Sequence, residues 1–332
     1  MKTITARDRD LILDVTGEGL TSLPAAVLEK DLLITEILQR LTGMDTGAMK
    51  LVFCGGTCLS KAHGLIERMS EDIDFKVIVP EGLSRTARSK RLSRLKKQVV
   101  DFLCGEGFTL SEQELIARDE NNYVSLNIRY ASRFASVASL RPEIKVELSA
   151  RSPLLPVEHL PIRSILGMMV DPASLGISVE CLGVQETLGE KILSFLRRTA
   201  EAMAGRNRAE YDDRLIRHLY DVSVILHSRT SLAKGLSAAV FQQMIIADGV
   251  QFSQQYPEFR ENPSGEMRKA LERLKSDEGF AVQYNRFVDE LVYGDPITFA
   301  VARRDFIMFA ERFLPGMTDI NRGGQDVSEL HD

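Results

Sequence analysis

Asp72 and Asp74 stand two apart in "SEDIDF" (70–75), with Ile73 between them. Side chains on a strand alternate, so both carboxylates would share one face while Ile73 and Phe75 take the other. Carboxylates that close repel each other unless a cation sits between them. Mg2+ takes oxygen ligands and is commonly held by one or two carboxylates plus the phosphate oxygens of a substrate. A further acid would complete a two-ion arrangement serving an attacking hydroxyl and a leaving phosphate together. Glu147 in "EIKVELSA" (143–150) offers one, because Lys145 and Glu147 alternate with Ile144, Val146 and Leu148. Gly55, Gly56 and Thr57 precede Asp72 in "LVFCGGTCLSK" (51–61). A Gly-Gly turn leading into a helix presents backbone N–H groups to phosphates. The implied ligand is a triphosphate bridged to the aspartates by metal ions.

Neither D-x-D nor G-G is specific alone. Strand, G-G-T, helix and then S-x-D-x-D on the next strand is much more so. The Walker pattern and G-x-G-x-x-G are both absent, which argues against a P-loop or dinucleotide site. Four cysteines are scattered, and Cys54 and Cys58 have no second pair to complete a zinc set. Five histidines form no H-x-x-x-H pattern.

Periodicity supplies the elements around these residues. Residues 24–42 carry Val27, Leu32, Leu33, Ile37 and Leu38 near helical spacing. "MKLVFC" (49–54) reads as a buried strand. A helix is expected to start near Thr57 and run through "LSKAHGLIER". Strands are expected at 71–80, 122–130 and 143–150, and an amphipathic helix at 85–103 on Leu92, Leu95, Val99 and Phe102. From about Gly183 the strand signals fade. Helices are expected over "VQETLGEKILSFLRRTAEAM" and "AEYDDRLIRHLYDVSVILHS", then at about 236–248, 265–275, 281–292 and 297–313.

The fold class expected is therefore α+β, with a mixed α/β unit over 1–182, a helical unit over 183–314, and a polar, disordered tail at 315–332. A length of 332 residues suits two domains, and 44% hydrophobic with 27% charged residues is an ordinary globular composition. No apolar run approaches the ~20 residues of a membrane span. The start lacks a signal-peptide core, so a cytoplasmic protein without membrane contact is expected. Net charge is −5, yet residues 84–100 hold seven Lys or Arg and no acid. Arg88, Arg91 and Arg94 in this stretch could track a nucleic-acid backbone, and a solvated helix face accounts for them too. Arg197, Arg198, Arg206 and Arg208 form a second basic cluster.

"FCGGTCLSKAHGLIERMSEDIDF" (53–75) closely resembles the first motif of the AbiEii/AbiGii-type toxins, nucleotidyltransferase-like proteins of the DNA polymerase beta superfamily. The resemblance continues in "LEKDLLITEIL", "ETLGEKILSFLRR" and "IRHLYDVSVIL", in order over about residues 25–230. Met69 and Cys58 depart from it, standing where an aromatic and a small residue are common. The resemblance implies a nucleotidyltransferase core of mixed sheet with a C-terminal α-helical domain, NTP as substrate, and Mg2+, as two ions. It implies a bacterial toxin–antitoxin or phage-defence context, with a cognate antitoxin encoded nearby and an RNA acceptor, a tRNA 3′ end. Position by position, Gly55, Gly56 and Thr57 would meet the triphosphate. Asp72 and Asp74 would hold metal, with Glu147 in the third place and Glu143 as its rival. Lys191 would contact phosphate and Asp221 would complete the pocket.

Other readings stay open. Lys61 could reach phosphate or pair with Glu67 or Asp72. Ser70 could cap a turn or touch phosphate. Lys191 could be a solvated charge, and Asp221 could pair with Arg217. His63 and His218 read as packing residues. The acceptor could instead be a protein or small-molecule hydroxyl, and a non-catalytic NTP-binding module is the alternative outside enzymes.

Overall fold

The computed structural model describes residues 1–137, 140–173, 175–206, 212–228 and 235–314. The expected disordered tail at 315–332 and Arg208 of the second basic cluster lie outside the described residues. The chain divides into two compact units: Met1–Gly183 with Leu291–Asp295, and Val184–Glu290 with the chain from Pro296 onward. Among the described residues no helix is long and apolar enough to cross a membrane.

The first unit opens with helices α1 (Ala6–Gly17) and α2 (Ala25–Thr42). The spacing expected of α2 is observed, with Val27, Leu33, Ile37 and Leu38 buried and Leu32 half-buried. The same helix also buries Glu29, Lys30 and Asp31, which its periodicity does not announce. Strand β1 (Lys50–Cys54) enters the short helix α3 (Gly55–Lys61). The expectation that this helix would reach Arg68 is corrected. It stops at Lys61, where Gly64 takes a left-handed φ of 60°. The chain beyond is held differently, the Met69 N–H donating to the Leu291 carbonyl at 2.8 Å. Strand β2 (Asp72–Ile78) and the amphipathic helix α4 (Arg85–Gly105) follow. In α4, Leu103 rather than Phe102 joins Leu92, Leu95 and Val99 in the core.

β3 (Leu115–Arg118), β4 (Tyr123–Arg129), β5 (Glu143–Ser149), β6 (Glu158–Ile162), α5 (Ile165–Val170) and β7 (Ile177–Cys181) complete the unit. The seven strands form one mixed sheet in the order β3-β4-β5-β2-β1-β7-β6. β2 runs antiparallel to β1 and parallel to β5. Its alternation is clean: Ile73, Phe75 and Val77 are buried, as are Ile144, Val146 and Leu148 of β5. Phe53 sits opposite Phe75 across β1 and β2, ring centroids 5.9 Å apart. Burial of this apolar set fixes which face the intervening residues must take, because a one-residue slip would turn every side chain over.

The second unit is helical: α6 (Val184–Met203), α7 (Arg217–His227), α8 (Ala238–Gln251), α9 (Pro257–Glu261), α10 (Pro263–Ser276), α11 (Gly279–Leu291, its last residue in the first unit) and α12 (Phe299–Glu311). Its core is aromatic, with Phe195 against Phe280 and Phe306 at centroid distances of 5.8 and 5.0 Å.

Candidate active site

Register brings the sequence-separated carboxylates together. On parallel β2 and β5, Asp72 lies opposite Lys145 and Asp74 opposite Glu147. Residues opposite one another share a sheet face. Glu147, not Glu143, is therefore the residue in step with Asp74, and Glu143 faces Arg129 of β4 instead. The Tyr123 hydroxyl on β4 donates to Glu147 Oε1, and the Lys145 ammonium lies 2.5 Å from the same oxygen.

The carboxylates are crowded enough to shift one another. Burial pushes the Asp74 carboxyl well above its ordinary value, and the charges of Glu147 and Asp72 add to that. Burial also raises Asp72, against the opposing pull of Arg141 and Lys145. Burial works against Glu147 as well, but Lys145, with hydrogen bonds from Lys145, Tyr123 and Asp74, holds its carboxyl below the usual glutamate range. Asp74 keeps its proton more firmly and Glu147 gives its proton up, as expected of two acids in hydrogen-bond contact.

The turn before α3 abuts this group. Gly55 has a left-handed φ of 79°, and a Cβ there would collide with Asp74 Oδ2. Glycine is thus required twice, for the backbone and for the carboxylate's place. A Cβ on Gly56 would fall 2.7 Å from Arg68 Nη2 and 3.0 Å from Ser70 Oγ. The Thr57 side chain is buried, its Oγ1 2.9 Å from Ser70 Oγ and donating to the Asp72 carbonyl. Thr57 and Ser70 therefore tie the turn to the first residue of β2.

Lys61 meets neither of its expected partners. It is buried, with Nζ 2.5 Å from Asp31 Oδ1 and 2.8 Å from Thr35 Oγ1, so it anchors α3 on α2. Helix phase turned it inward once α3 proved short. His63 packs as expected, Nε2 lying 2.9 Å from the Leu182 carbonyl oxygen.

Two cations at the site went unnoticed in the sequence. Arg141 Nη1 donates to Asp72 Oδ1 at 3.0 Å, and Lys145 lies opposite Asp72. Lys145 was legible from its phase with Glu147. Arg141 was not, because it stands just before β5 where no periodicity applies.

The other expected site residues are distributed as follows. Lys191 Nζ lies 2.6 Å from Asp221 Oδ2, both side chains buried within the helical unit. Arg197 is buried there too, pairing with Asp248 at 2.9 Å and Glu201 at 3.1 Å and covering the Phe252 ring at 3.7 Å. Arg198 pairs with Asp212 and Arg206 with Glu258. In the sheet unit, Arg88 donates to Asn122 Oδ1 and the Ala150 carbonyl. On the exposed side of α4, Lys90, Arg91, Arg94 and Lys97 have no ion pair among the described residues.

A hard divalent cation fits the donor set at Asp72 and Asp74: both ligands are carboxylate oxygens on one face, kept clear by the missing Cβ of Gly55. Among the described residues no group of three or more His, Cys, Asp or Glu forms a cation cage. The fit is that of an open pair, to be completed by water and substrate oxygens rather than by protein alone.

Comparison with known proteins agrees with this picture. The chain is similar in fold to the nucleotidyltransferase toxin MenT4 of Mycobacterium tuberculosis H37Rv, at 16% identity and a TM-score of 0.50, over 92% of each chain. No curated protein matches the sequence. Residues 36–310 match the family described as nucleotidyl transferase AbiEii toxin of type IV toxin–antitoxin systems. With its sheet, turn and paired aspartates set within that span, the chain belongs to the AbiEii family of nucleotidyltransferase toxins.

Proposed function

We propose that this nucleotidyltransferase moves a nucleoside monophosphate from an NTP to a hydroxyl of RNA, a tRNA 3′ end, with Mg2+. The observation that carries the reading is Asp72, Asp74 and Glu147 on one sheet face beside the Gly55–Thr57 turn. In the transfer, the acceptor oxygen bonds to the α-phosphorus, the α–β bridging P–O bond breaks, and pyrophosphate leaves. The acceptor's proton passes to solvent. Bound divalent ions supply the charge neutralisation that such a step needs.

The protein residues bind and orient. Asp72 and Asp74 are the metal ligands, and Glu147 holds the third carboxylate place. The Gly55–Gly56–Thr57 main chain meets the triphosphate, where only glycine leaves Asp74 its room. Lys191 and Asp221 are buried against each other inside the helical unit, so their role there is packing rather than contact with the nucleotide. For RNA, Arg91 and Arg94, with Lys90 and Lys97, offer uncompensated positive charge on α4. Arg88, Arg197 and Arg198 are already engaged within the fold, so the basic track rests on α4.

The test is incubation with each labelled NTP, Mg2+ and total RNA, beside the Asp74→Asn variant. Label entering RNA with the native protein and not with the variant supports the reading. Label on protein instead moves the acceptor to a protein hydroxyl. No transfer with any NTP leaves a nucleotide-binding module.

A further inference from the structure

Directly before Asp72 lies a device that neither the carboxylates nor the glycine turn explains. Lys30 Nζ of α2 and Glu71 Oε2 are 2.6 Å apart, with 0% and 2% of their side chains exposed. A pair so thoroughly desolvated is weak evidence for stability, since hydrophobic replacements do as well. Its placement suggests another role. Lys30 donates to the Arg141 carbonyl at 2.8 Å, and Glu71 Oε2 accepts from the Arg141 N–H at 2.8 Å. The buried pair thus grips both polar groups of one main-chain residue. That residue extends its guanidinium back to Asp72 Oδ1. The side chains of Arg141 and Asp72 are part-exposed, at 17% and 33%, so the contact is open to exchange. The other charged groups around Asp72 are Lys30, Glu71, Asp74, Lys145 and Glu147.

We propose that Arg141 is the built-in counter-ion of Asp72, clamped by Lys30 and Glu71, and competes with a divalent cation for that carboxylate. The inference rests on the reading of Asp72 as a metal ligand. Its consequence is selectivity for metal arriving with nucleotide. A free cation must displace or share the guanidinium and is repelled by it. A cation carried on a triphosphate brings anionic oxygens that the guanidinium can accept as partners instead. Arg141 is a positioning residue here, acting through Asp72 and its metal.

The test is Mn2+ binding, read by electron paramagnetic resonance of the free ion, on native protein, Arg141→Met, Arg141→Gln and Asp72→Asn. Circular dichroism checks each fold. Without nucleotide, both Arg141 variants are expected to bind Mn2+ about tenfold more tightly than native protein, since a charge-assisted contact is removed from the ligand. With a non-hydrolysable NTP analogue the difference should shrink to about threefold or less. The glutamine variant, neutral but polar, decides the matter where the methionine variant does not fold. Equal or weaker Mn2+ binding by the Arg141 variants, with binding weakened by Asp72→Asn, overturns the counter-ion role and leaves the ligand role of Asp72 standing. Native-level binding by Asp72→Asn overturns both. A gap undiminished by nucleotide overturns the selectivity.

Discussion

Charged side chains gather in both units, and the two gatherings are built on opposite terms. In the helical unit, Lys191 meets Asp221, and Arg197 meets Asp248 and Glu201, with each cation deep in the interior beside its acid. In the sheet unit, Asp72, Asp74 and Glu147 face Arg141 and Lys145, so acids outnumber cations, and burial together with this crowding drives the carboxyl of Asp74 up. The first arrangement is settled by itself. The second leaves repulsion among its acids that the neighbouring cations do not cancel. Charge left over in a structured, part-open place marks chemistry, whereas charge matched in the interior marks packing.

The sharpest way to break this contrast is Asp74→Asn. Transfer should fall by about 10³-fold or more, in line with loss of a principal electrostatic element. Stability in chelator should hold or rise at neutral pH. Folding raises the Asp74 carboxyl above its ordinary 3.8, so the folded state binds the proton more tightly. Native stability then falls as pH climbs from 3.8 through the raised value, and the variant does not share that fall. Thermal melts at several pH values should show the variant's advantage vanish below the ordinary aspartate range. A neutral-pH loss of stability would contradict the reading of uncancelled repulsion.

The helical unit should respond the other way. Lys191→Met leaves the Asp221 carboxylate buried without its ammonium, a change that costs about 3–5 kcal/mol. The double variant Lys191→Met, Asp221→Leu should regain much of this in chemical denaturation. A solvated helix lysine, one of the readings open from the sequence, could be removed at little cost to the fold. The burial of Lys191 reverses that expectation. A single variant as stable as native protein would remove the contrast.

Gly55→Ala tests the border of the site. A non-glycine residue at this φ carries about 1–3 kcal/mol of strain, and its methyl would displace Asp74. Melting should show a modest loss, with a far larger proportional loss of transfer. Comparable losses in both would make the turn merely structural.

The smallest expected effect concerns RNA. Charge reversal at Arg91 and Arg94 should weaken RNA binding and flatten the slope of log K against log salt by roughly 1.5, at about 0.7–0.9 per phosphate contact. NTP binding should be unchanged. Filter binding across salt concentrations checks both, and an unaltered slope would return α4 to the status of a solvated face.

Local pattern by itself determined a good deal. Period-two alternation placed Asp72 and Asp74 on one face and Ile73 and Phe75 on the other. It put Lys145 and Glu147 in one phase, and the Gly-Gly pair located the turn. Helical spacing marked α2, α4 and the helices after Val184. Tertiary structure decided what no local period encodes. It matched Glu147 rather than Glu143 to Asp74, because register depends on which strand arrives alongside and how far it slides. It ended α3 at Lys61 and drew that lysine to Asp31. It took Arg197 into the interior. It also brought Arg141 to Asp72 across 69 residues of chain, through a buried pair reaching from α2. A side chain's phase follows from its neighbours in sequence. The partner of its charge follows only from which distant segments the buried core holds next to it.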